Sequence, residues 1–362
     1  MPPAREIVRR EIAACGAITF ARFMEVSLYC PESGYYEQLM NSPGRDGDFY
    51  TSVSVGGLFG QLLGFQFARW LRESEAGKGA QLLESGAHDG RLAADVLDWM
   101  RARRPAVFDS LEYWILEPSL RRREWQARTL ASYSGKVRWF GNWEQVQESG
   151  VRGIIFSNEL LDAMPAHRVG WDAAAGEWFE WTVALEQGQF TWRRSPLSVP
   201  LPAHWSELSA GLAGVLPDGF TTEVAPGAAA WWSCAAAALR RGRLLTFDYG
   251  LDAAELFQPQ RAGGTLRAYY RHQWNDDLLA RAGEQDLTAQ VDFTGLERAG
   301  ASAGLQTERL GSQAQFLTAV AAATWEPDSD FGEWPGGRTR QFQTLTHPEH
   351  LGRGHRVLIQ RR

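Results

Sequence analysis

Residues 81–97 constrain the fold more than any other stretch of the chain. Gln81-Leu82-Leu83-Glu84-Ser85 is a short apolar run that ends in a carboxylate, and Gly86-Ala87-His88-Asp89-Gly90 is a turn with two glycines four apart. Beyond it, Leu92, Ala93, Val96 and Leu97 recur at helical spacing. The pattern predicts a strand, a glycine turn and a helix. Such a turn lets a ligand approach the backbone closely, and the helix N-terminus behind it favours polar or anionic groups. Glu84 would repel a diphosphate and suits hydroxyls or a cation, which points away from a dinucleotide and toward S-adenosylmethionine, a sulfonium without phosphates. A tight connection with no ligand accounts for the same residues, so the turn alone leaves both readings open.

The alternation continues. Leu111 to Glu117 is a second strand ending in a carboxylate, Pro118-Ser119 starts a helix running to about Ser132, and Val137 to Phe140 and Gly153 to Phe156 are two more short strands. A helix at 226–239 and the strand Leu244 to Gly250 resume the pattern, which closes with Arg356 to Ile359. Strands alternating with helices predict an α/β, Rossmann-like fold with parallel pairing and helices on both faces. Before it, residues 4–15 and 19–29 show helical spacing, with Thr19 as N-cap of the second helix, and residues 29–52 form a turn-rich, aromatic loop. Trp178 to Leu185 and Phe190 to Trp192 flank Glu186-Gln187-Gly188-Gln189 as an antiparallel hairpin, followed by proline-marked irregular chain. The expected organisation is therefore an N-terminal helical arm and covering loop (1–79), a first part of the core (80–167), an inserted antiparallel and irregular subdomain over the crevice (168–225), and a second part of the core (226–362).

Composition excludes several classes. A net charge of -6 and a pI near 5.7 argue against a general nucleic-acid or anionic-membrane binder. Cys15, Cys30 and Cys234 are widely spaced, which indicates neither a disulfide framework nor a zinc site. No stretch approaches a membrane span, and Glu6 and Glu11 weigh against a transit peptide, so a reducing, cytoplasmic compartment is expected. Of the 16 tryptophans, Trp70, Trp99, Trp114 and Trp125 fall in apolar-periodic contexts and read as core rather than as a stacking platform.

In parallel sheets, ligands bind beyond the carboxyl ends of the strands. That gives Glu84 and Gly86, Glu117, Gly141-Asn142 and Ser157-Asn158-Glu159 one address. Glu117 fits a bidentate bond to two ribose hydroxyls, or equally a carboxylate at a helix N-terminus. If the chain turns into a helix after Asn158, then Glu159 and Asp162 share one side of it and suit a guanidinium; helix capping by Asn158 and Asp162 is the alternative. Asp248 ends the fifth strand and would wall an acceptor channel. Phe49, Tyr50, Tyr269 and Tyr270 could cover a cation, and His272 is either a general base or structural. His347 and His350 flank Pro348 without metal-ligand context, and the chain has no HExxH, GxSxG or Walker A sequence.

Taken together, Phe20-Ala21-Arg22-Phe23-Met24, Gly34-Tyr35-Tyr36, Gly47-Asp48-Phe49-Tyr50-Thr51-Ser52, Leu58-Phe59-Gly60, Asn158 to Pro165, Asp248-Tyr249-Gly250, Gly264-Thr265-Leu266 and Asp286 to Phe293 resemble the MidA-like family, over about Ile18 to Ile359. The resemblance implies a seven-strand methyltransferase sheet and S-adenosyl-L-methionine as cofactor. From the family's characterised mitochondrial member it also implies symmetric dimethylation of an arginine in a complex I subunit. Glu84, Gly86 and Gly90 would form the methionine-side turn, Glu117 would hold the ribose, and Asn158 and Glu159 would line the centre. His88, Asn142, Asp48 and Thr51 complete the cofactor-binding candidates; Glu159, Asp162 and Asp248 are the catalytic ones. Two departures stand out: the family's Gly-Pro-Gly-Arg-Gly is Gly86-Ala87-His88-Asp89-Gly90 here, and its Pro-Glu after Thr-Ser is Val53-Ser54. The expected function is methyl transfer to arginine of a protein substrate, such as an assembly partner of a respiratory complex. The alternatives are a catalytically weak or inactive S-adenosylmethionine-binding assembly or interaction protein and a small-molecule methyltransferase.

Overall fold

The computed structural model describes residues 2–38, 51–73, 79–205, 211, 214–271, 273–348, 351–352 and 354–362. Asp48, Phe49, Tyr50, His272 and His350 lie outside the described residues. The chain divides into two units, one of residues 1–49, 161–230 and 250–296, the other of residues 50–160, 231–249 and 297–362.

The second unit is built on seven strands: β1 (Gln81–Ser85), β2 (Glu112–Leu116), β3 (Val137–Phe140), β4 (Val151–Asn158), β5 (Leu239–Leu251), β6 (Gln306–Ser312) and β7 (His355–Arg361). Their order across the sheet is β3-β2-β1-β4-β5-β7-β6. The five strands from β3 to β5 run parallel, and β7 is antiparallel to both β5 and β6. The order reverses between β1 and β4, where successive crossovers leave in opposite directions and open a crevice at the strand ends. Gln81 to Ser85 pairs in step with Glu112 to Leu116 on one side and Gly153 to Ser157 on the other, so Ser85, Leu116 and Ser157 come level, with Asn158 one residue beyond.

These strands are apolar on both faces because helices cover both. On one face α1 (Leu58–Glu73) and α2 (Arg91–Arg103) bring Phe59, Leu62, Leu63 and Phe67 and Leu92, Val96, Leu97 and Met100 against Leu82, Ile154, Phe156, Leu245 and Phe247. Trp70, Trp99, Trp114 and Trp125 are all buried, as their sequence contexts predict. The remaining helices of this unit used below are α3 (Leu120–Thr129), α4 (Trp143–Ser149), α5 (Gln313–Ala323) and α6 (Gly336–Thr346).

The first unit carries the helices Ala4–Cys15 and Phe20–Tyr29, the latter N-capped by Thr19, whose side chain accepts from Arg22 N at 3.1 Å. Its main sheet is antiparallel. Glu177–Glu186 pairs with His167–Asp172, with Gln189–Ser195 and with the short strand Ala17–Thr19, and Thr221–Val224 pairs with His167–Asp172. The expected hairpin is present, turning at Gln187 and Gly188 with φ of 50° and 78°, the left-handed pair that a two-residue turn matched to strand twist needs. A three-stranded sheet of Arg267–Tyr270, Gln273–Asn275 and Asp286–Thr288 completes it.

One expectation is overturned here. The chain does not turn into a helix after Asn158: β4 runs through Asn158 into a bend in which Glu159 has φ 49°. Asp162 falls in the first unit, so the helical side once expected to join it to Glu159 does not exist. The bend is held because Glu159 N donates to Phe247 O at 2.8 Å, which continues the parallel ladder between β4 and β5 instead of closing a helical turn.

Candidate functional site

The turn from β1 to α2 is left-handed at three residues, Gly86 (φ 77°), His88 (φ 45°) and Gly90 (φ 86°). At Gly86 the left-handed backbone favours glycine, and a β-carbon there would lie 2.8 Å from Leu160 Cδ1, so that the Leu160 side chain would have to shift. His88 takes the same conformation with a side chain, at a cost of roughly 1–2 kcal/mol. It is held by Gln126, whose Nε2 donates to His88 O at 3.1 Å. Asp89 takes Arg91 N at 3.2 Å and Arg91 Nε at 2.8 Å. Burial pushes its carboxyl up, but His88 and Arg91 outweigh that and hold it below the usual carboxylate range.

Glu84 ends β1 with only 3% of its surface exposed, and accepts the Tyr113 hydroxyl at 2.6 Å. Desolvation dominates over that bond and raises its carboxyl from 4.5 to about 7. The folded protein therefore holds this proton more tightly than the unfolded chain. The stability it contributes is complete below the unfolded value of 4.5 and is lost as the pH rises through about 7. The size is about 3 kcal/mol. Glu84→Gln keeps an acceptor for Tyr113 and cannot ionise. In urea melts its stability relative to wild type should grow by about 3 kcal/mol between pH 4.5 and pH 8; parallel curves would show that Glu84 does not titrate in this window. Asp95, raised to about 6 chiefly by burial, titrates in both proteins and cancels from the difference.

Glu117 directly follows β2 and is 2% exposed. Its Oε1 accepts from Ser119 N at 2.9 Å and from Arg122 Nε and Nη2 at 3.0 and 2.9 Å, and its Oε2 from Gln126 Nε2 at 3.2 Å. Gln126, on α3, joins this carboxylate to His88 O while its own Oε1 accepts Trp139 Nε1 at 2.9 Å. It ties the first turn to the second strand end, a role with no mark in the sequence beyond a glutamine on a polar helix. Asn142 is exposed and N-caps α4, its side chain accepting from Gln145 N at 3.1 Å.

A third cluster forms where β4, β5 and β7 end or begin. Asp248 is fully buried and spends its carboxylate on the backbone, accepting Leu160 N at 3.1 Å and Tyr249 N at 2.9 Å, so that it pins the bend around Glu159. Glu159 Oε1 accepts Ser52 N at 2.9 Å and Asn158 Nδ2 at 3.1 Å. Ser52 Oγ in turn donates to Gln313 Oε1 at 3.1 Å, and Thr51 and Ser54 close their turn by reciprocal bonds between N–H groups and hydroxyls of 2.9 and 3.1 Å. His355, the first residue of β7, has its Nε2 3.5 Å from Glu159 Oε1, its Nδ1 3.0 Å from Leu351 O, and its ring centroid 3.8 Å from that of Tyr249, the two planes tilted by 44°. Three buried atoms here lack a hydrogen-bond partner among the described residues: Glu159 Oε2, Asn158 Oδ1 and His355 Nε2. Sequence reading missed His355, because a lone histidine at a strand start carries no periodic signal.

The structure thus gathers Thr51, Glu84, Gly86, His88, Gly90, Glu117, Asn142, Asn158, Glu159 and Asp248 within one unit, at the strand ends. Asp162 belongs to the other unit, where it is buried and its carbonyl accepts Ala289 N at 2.8 Å. Tyr269 and Tyr270 lie there too, on the strand Arg267–Tyr270, with Arg281 4.0 Å over the Tyr270 ring. Among the described residues no three His, Cys, Asp or Glu side chains are grouped to hold a metal, and no helix is long and apolar enough to cross a membrane.

Comparison with known proteins bears on this site. Residues 62–311 match the family described as "putative S-adenosyl-L-methionine-dependent methyltransferase". Proteins named protein arginine methyltransferase NDUFAF7, mitochondrial, are 28% identical in Mus musculus and 27% in Homo sapiens, in each case over 80% of this chain and 67% and 66% of theirs. The chain thus spans about two thirds of their length. A Burkholderia thailandensis protein crystallised with S-adenosyl-homocysteine is 31% identical, with a TM-score of 0.83 over 99% of this chain and 92% of its own. A native crystal structure of a protein from the same organism is 30% identical, with a TM-score of 0.81 over 99% and 91%. The cytoplasmic expectation is corrected by these relatives, which are named as mitochondrial. Cysteine usage reports the redox state of a compartment and not which compartment it is.

Proposed function

Because the chain belongs to this family of S-adenosyl-L-methionine-dependent methyltransferases, we propose that the acceptor for its methyl group is an arginine of a protein. The cofactor is S-adenosylmethionine, which when bound supplies an electrophilic methyl carbon on a positively charged sulfur. The strand-end residues suit it. Gly86 keeps the turn in its left-handed conformation with Leu160 packed over it, and the buried Glu84 and Glu117 carboxylates are acceptors for hydroxyl or ammonium donors. Glu84, Gly86, His88 and Gly90 would hold the methionine side, Glu117 the ribose, and Asn142, Asn158 and Thr51 the remainder of the cofactor.

The observation that carries the acceptor reading is the trio of buried, unpartnered atoms at Glu159, Asn158 and His355. All three accept hydrogen bonds when Glu159 is ionised and His355 neutral, and leaving them unmade costs about 1–3 kcal/mol each. The guest they call for is a cation rich in N–H donors, and a guanidinium offers five in a planar fork. Glu159 then orients the nitrogen that attacks and steadies its charge; Asp248 fixes Glu159 through the bend. The curated relatives, named as protein arginine methyltransferases, favour the same guest.

Glu159→Gln tests this reading. With radiolabelled S-adenosylmethionine and lysate protein as acceptor, label should appear on arginine, and the variant should lose about 100-fold in kcat while its affinity for S-adenosylhomocysteine stays within about twofold. Label recovered on other side chains, or a variant as fast as wild type, would remove arginine or Glu159 respectively.

A further inference from the structure

We propose that His355 is the base that takes up the proton released by the acceptor, with Glu159 beside it steadying the charge, an inference that rests on the reading of this site as one for a protonated nitrogen. Leu351 O can only accept, so its 3.0 Å contact makes Nδ1 the ring nitrogen that carries hydrogen. In the neutral ring Nε2 then bears a lone pair, and it faces Glu159 Oε1 at 3.5 Å with no hydrogen bond of its own. Both groups are out of water, His355 at 0% and the Glu159 side chain at 7% exposure. Two lone pairs confront each other, and one proton between them turns the contact into an imidazolium–carboxylate pair.

Neither group has room to turn away. His355 is paired across the sheet with Tyr249 and its ring lies on the tyrosine ring. Glu159 is anchored by Ser52 N and by Asn158 Nδ2, and its backbone by Phe247 O. Ser52 is itself held by Gln313, whose Nε2 donates to Leu345 O at 3.3 Å, so the loop that supplies the N–H is fixed to α5 and α6.

Charge balance shows what such a pair does. A guanidinium that gains a methyl group from a sulfonium ends with its original single charge only if it loses one proton. The nitrogen lone pair forms the new nitrogen–carbon bond, the carbon–sulfur bonding pair stays with sulfur as a neutral thioether, and the proton leaves nitrogen for the bare His355 Nε2, while Glu159, whose Oε1 is already taken by Ser52 N and Asn158 Nδ2, stays ionised and pairs with the imidazolium. The imidazolium later yields the proton to water. The sequence reading gave this task to no residue of β7.

The experiment has one arm that needs no turnover. Nitrogen-15 spectra of the histidine rings of the free protein should show His355 with Nδ1 protonated and Nε2 bare, and Glu159→Gln, whose amide can donate, should move the Nε2 signal; a protonated Nε2 with a bare Nδ1 overturns the proposal. In the second arm, His355→Asn keeps an N–H for Leu351 O but has no base. With lysate arginine as acceptor its kcat should fall about 100-fold at unchanged affinity for S-adenosylhomocysteine, and added imidazole should restore part of the rate to His355→Ala. If His355→Asn matches wild type in kcat, His355 has no part in the reaction although the acceptor reading stands. If wild type itself transfers nothing to arginine, both fail. Should His355→Asn not fold, the ring spectra decide.

Discussion

Gly86→Val is expected to abolish cofactor binding, with the affinity for S-adenosylhomocysteine weakened by more than about 100-fold, or about 2.7 kcal/mol. Two independent penalties meet at this residue. Its φ of 77° lies in the left-handed region, which costs a β-branched side chain roughly 1–2 kcal/mol or more. A β-carbon would also stand 2.8 Å from Leu160 Cδ1, and relieving such crowding costs typically 1–3 kcal/mol. Leu160 can shift to relieve part of the crowding, but the backbone penalty is lowered only if the turn leaves its conformation. The two causes separate experimentally. Because the clashing atom is the far end of a flexible side chain, Leu160→Ala should recover the crowding share of a Gly86→Ala variant but leave the backbone share. Calorimetry with S-adenosylhomocysteine on folded Gly86→Val that returned near wild-type affinity would mean that the cofactor does not use this turn.

Glu117→Ala should be nearly as damaging, for a different reason. The carboxylate accepts from Ser119 N, Arg122 and Gln126. Removing it breaks its ion pair with the Arg122 guanidinium, only 14% exposed, and breaking a buried pair typically costs about 3–5 kcal/mol. On the proposed ribose contact it also removes two charge-assisted hydrogen bonds, each worth about 1.5–3 kcal/mol, so affinity for S-adenosylhomocysteine should drop at least about 100-fold. Arg122→Ala in the same chain should return most of the stability and none of the affinity. That combination distinguishes a ribose clamp from a carboxylate whose work is only to neutralise an arginine. If the double variant bound the cofactor normally, the ribose assignment would be wrong.

Much of the core was legible because its strands are short apolar runs ending in punctuation. Glu84-Ser85-Gly86, Glu117-Pro118 and Asn158-Glu159 each mark a strand end at which a polar residue follows an apolar one, and parallel topology places such ends side by side. The hairpin at Gln187-Gly188 announced itself by alternating aromatics around a turn pair. What escaped was set by long-range pairing. Ala17-Ile18-Thr19 is a strand only because Thr182 to Ala184 lies beside it, and three residues carry no period. The helix expected after Asn158 had good local support in Leu160, Leu161 and Ala163. It lost to the β5 carbonyl of Phe247 and the carboxylate of Asp248, which capture the N–H groups of Glu159 and Leu160. The third cluster was half visible, through Asn158 and Glu159. Its other half lies about 200 residues away on β7, beyond the reach of any local pattern.

That distance has a consequence for how the protein acquires its site. β7 is an interior strand, between β5 and β6, yet it is the latest of the seven in the chain. Until it inserts, β5 and β6 each present an open edge, the kind of surface that recruits strands from other chains, and the bond between them depends on closing the longest loops in the sheet, which slows folding. A partly made chain can therefore hold a nearly complete cofactor turn while lacking His355 and the wall it forms with Tyr249. Ribosome-bound fragments ending before residue 355 should be the aggregation-prone species of this protein, and chaperone dependence should fall away once β7 has emerged.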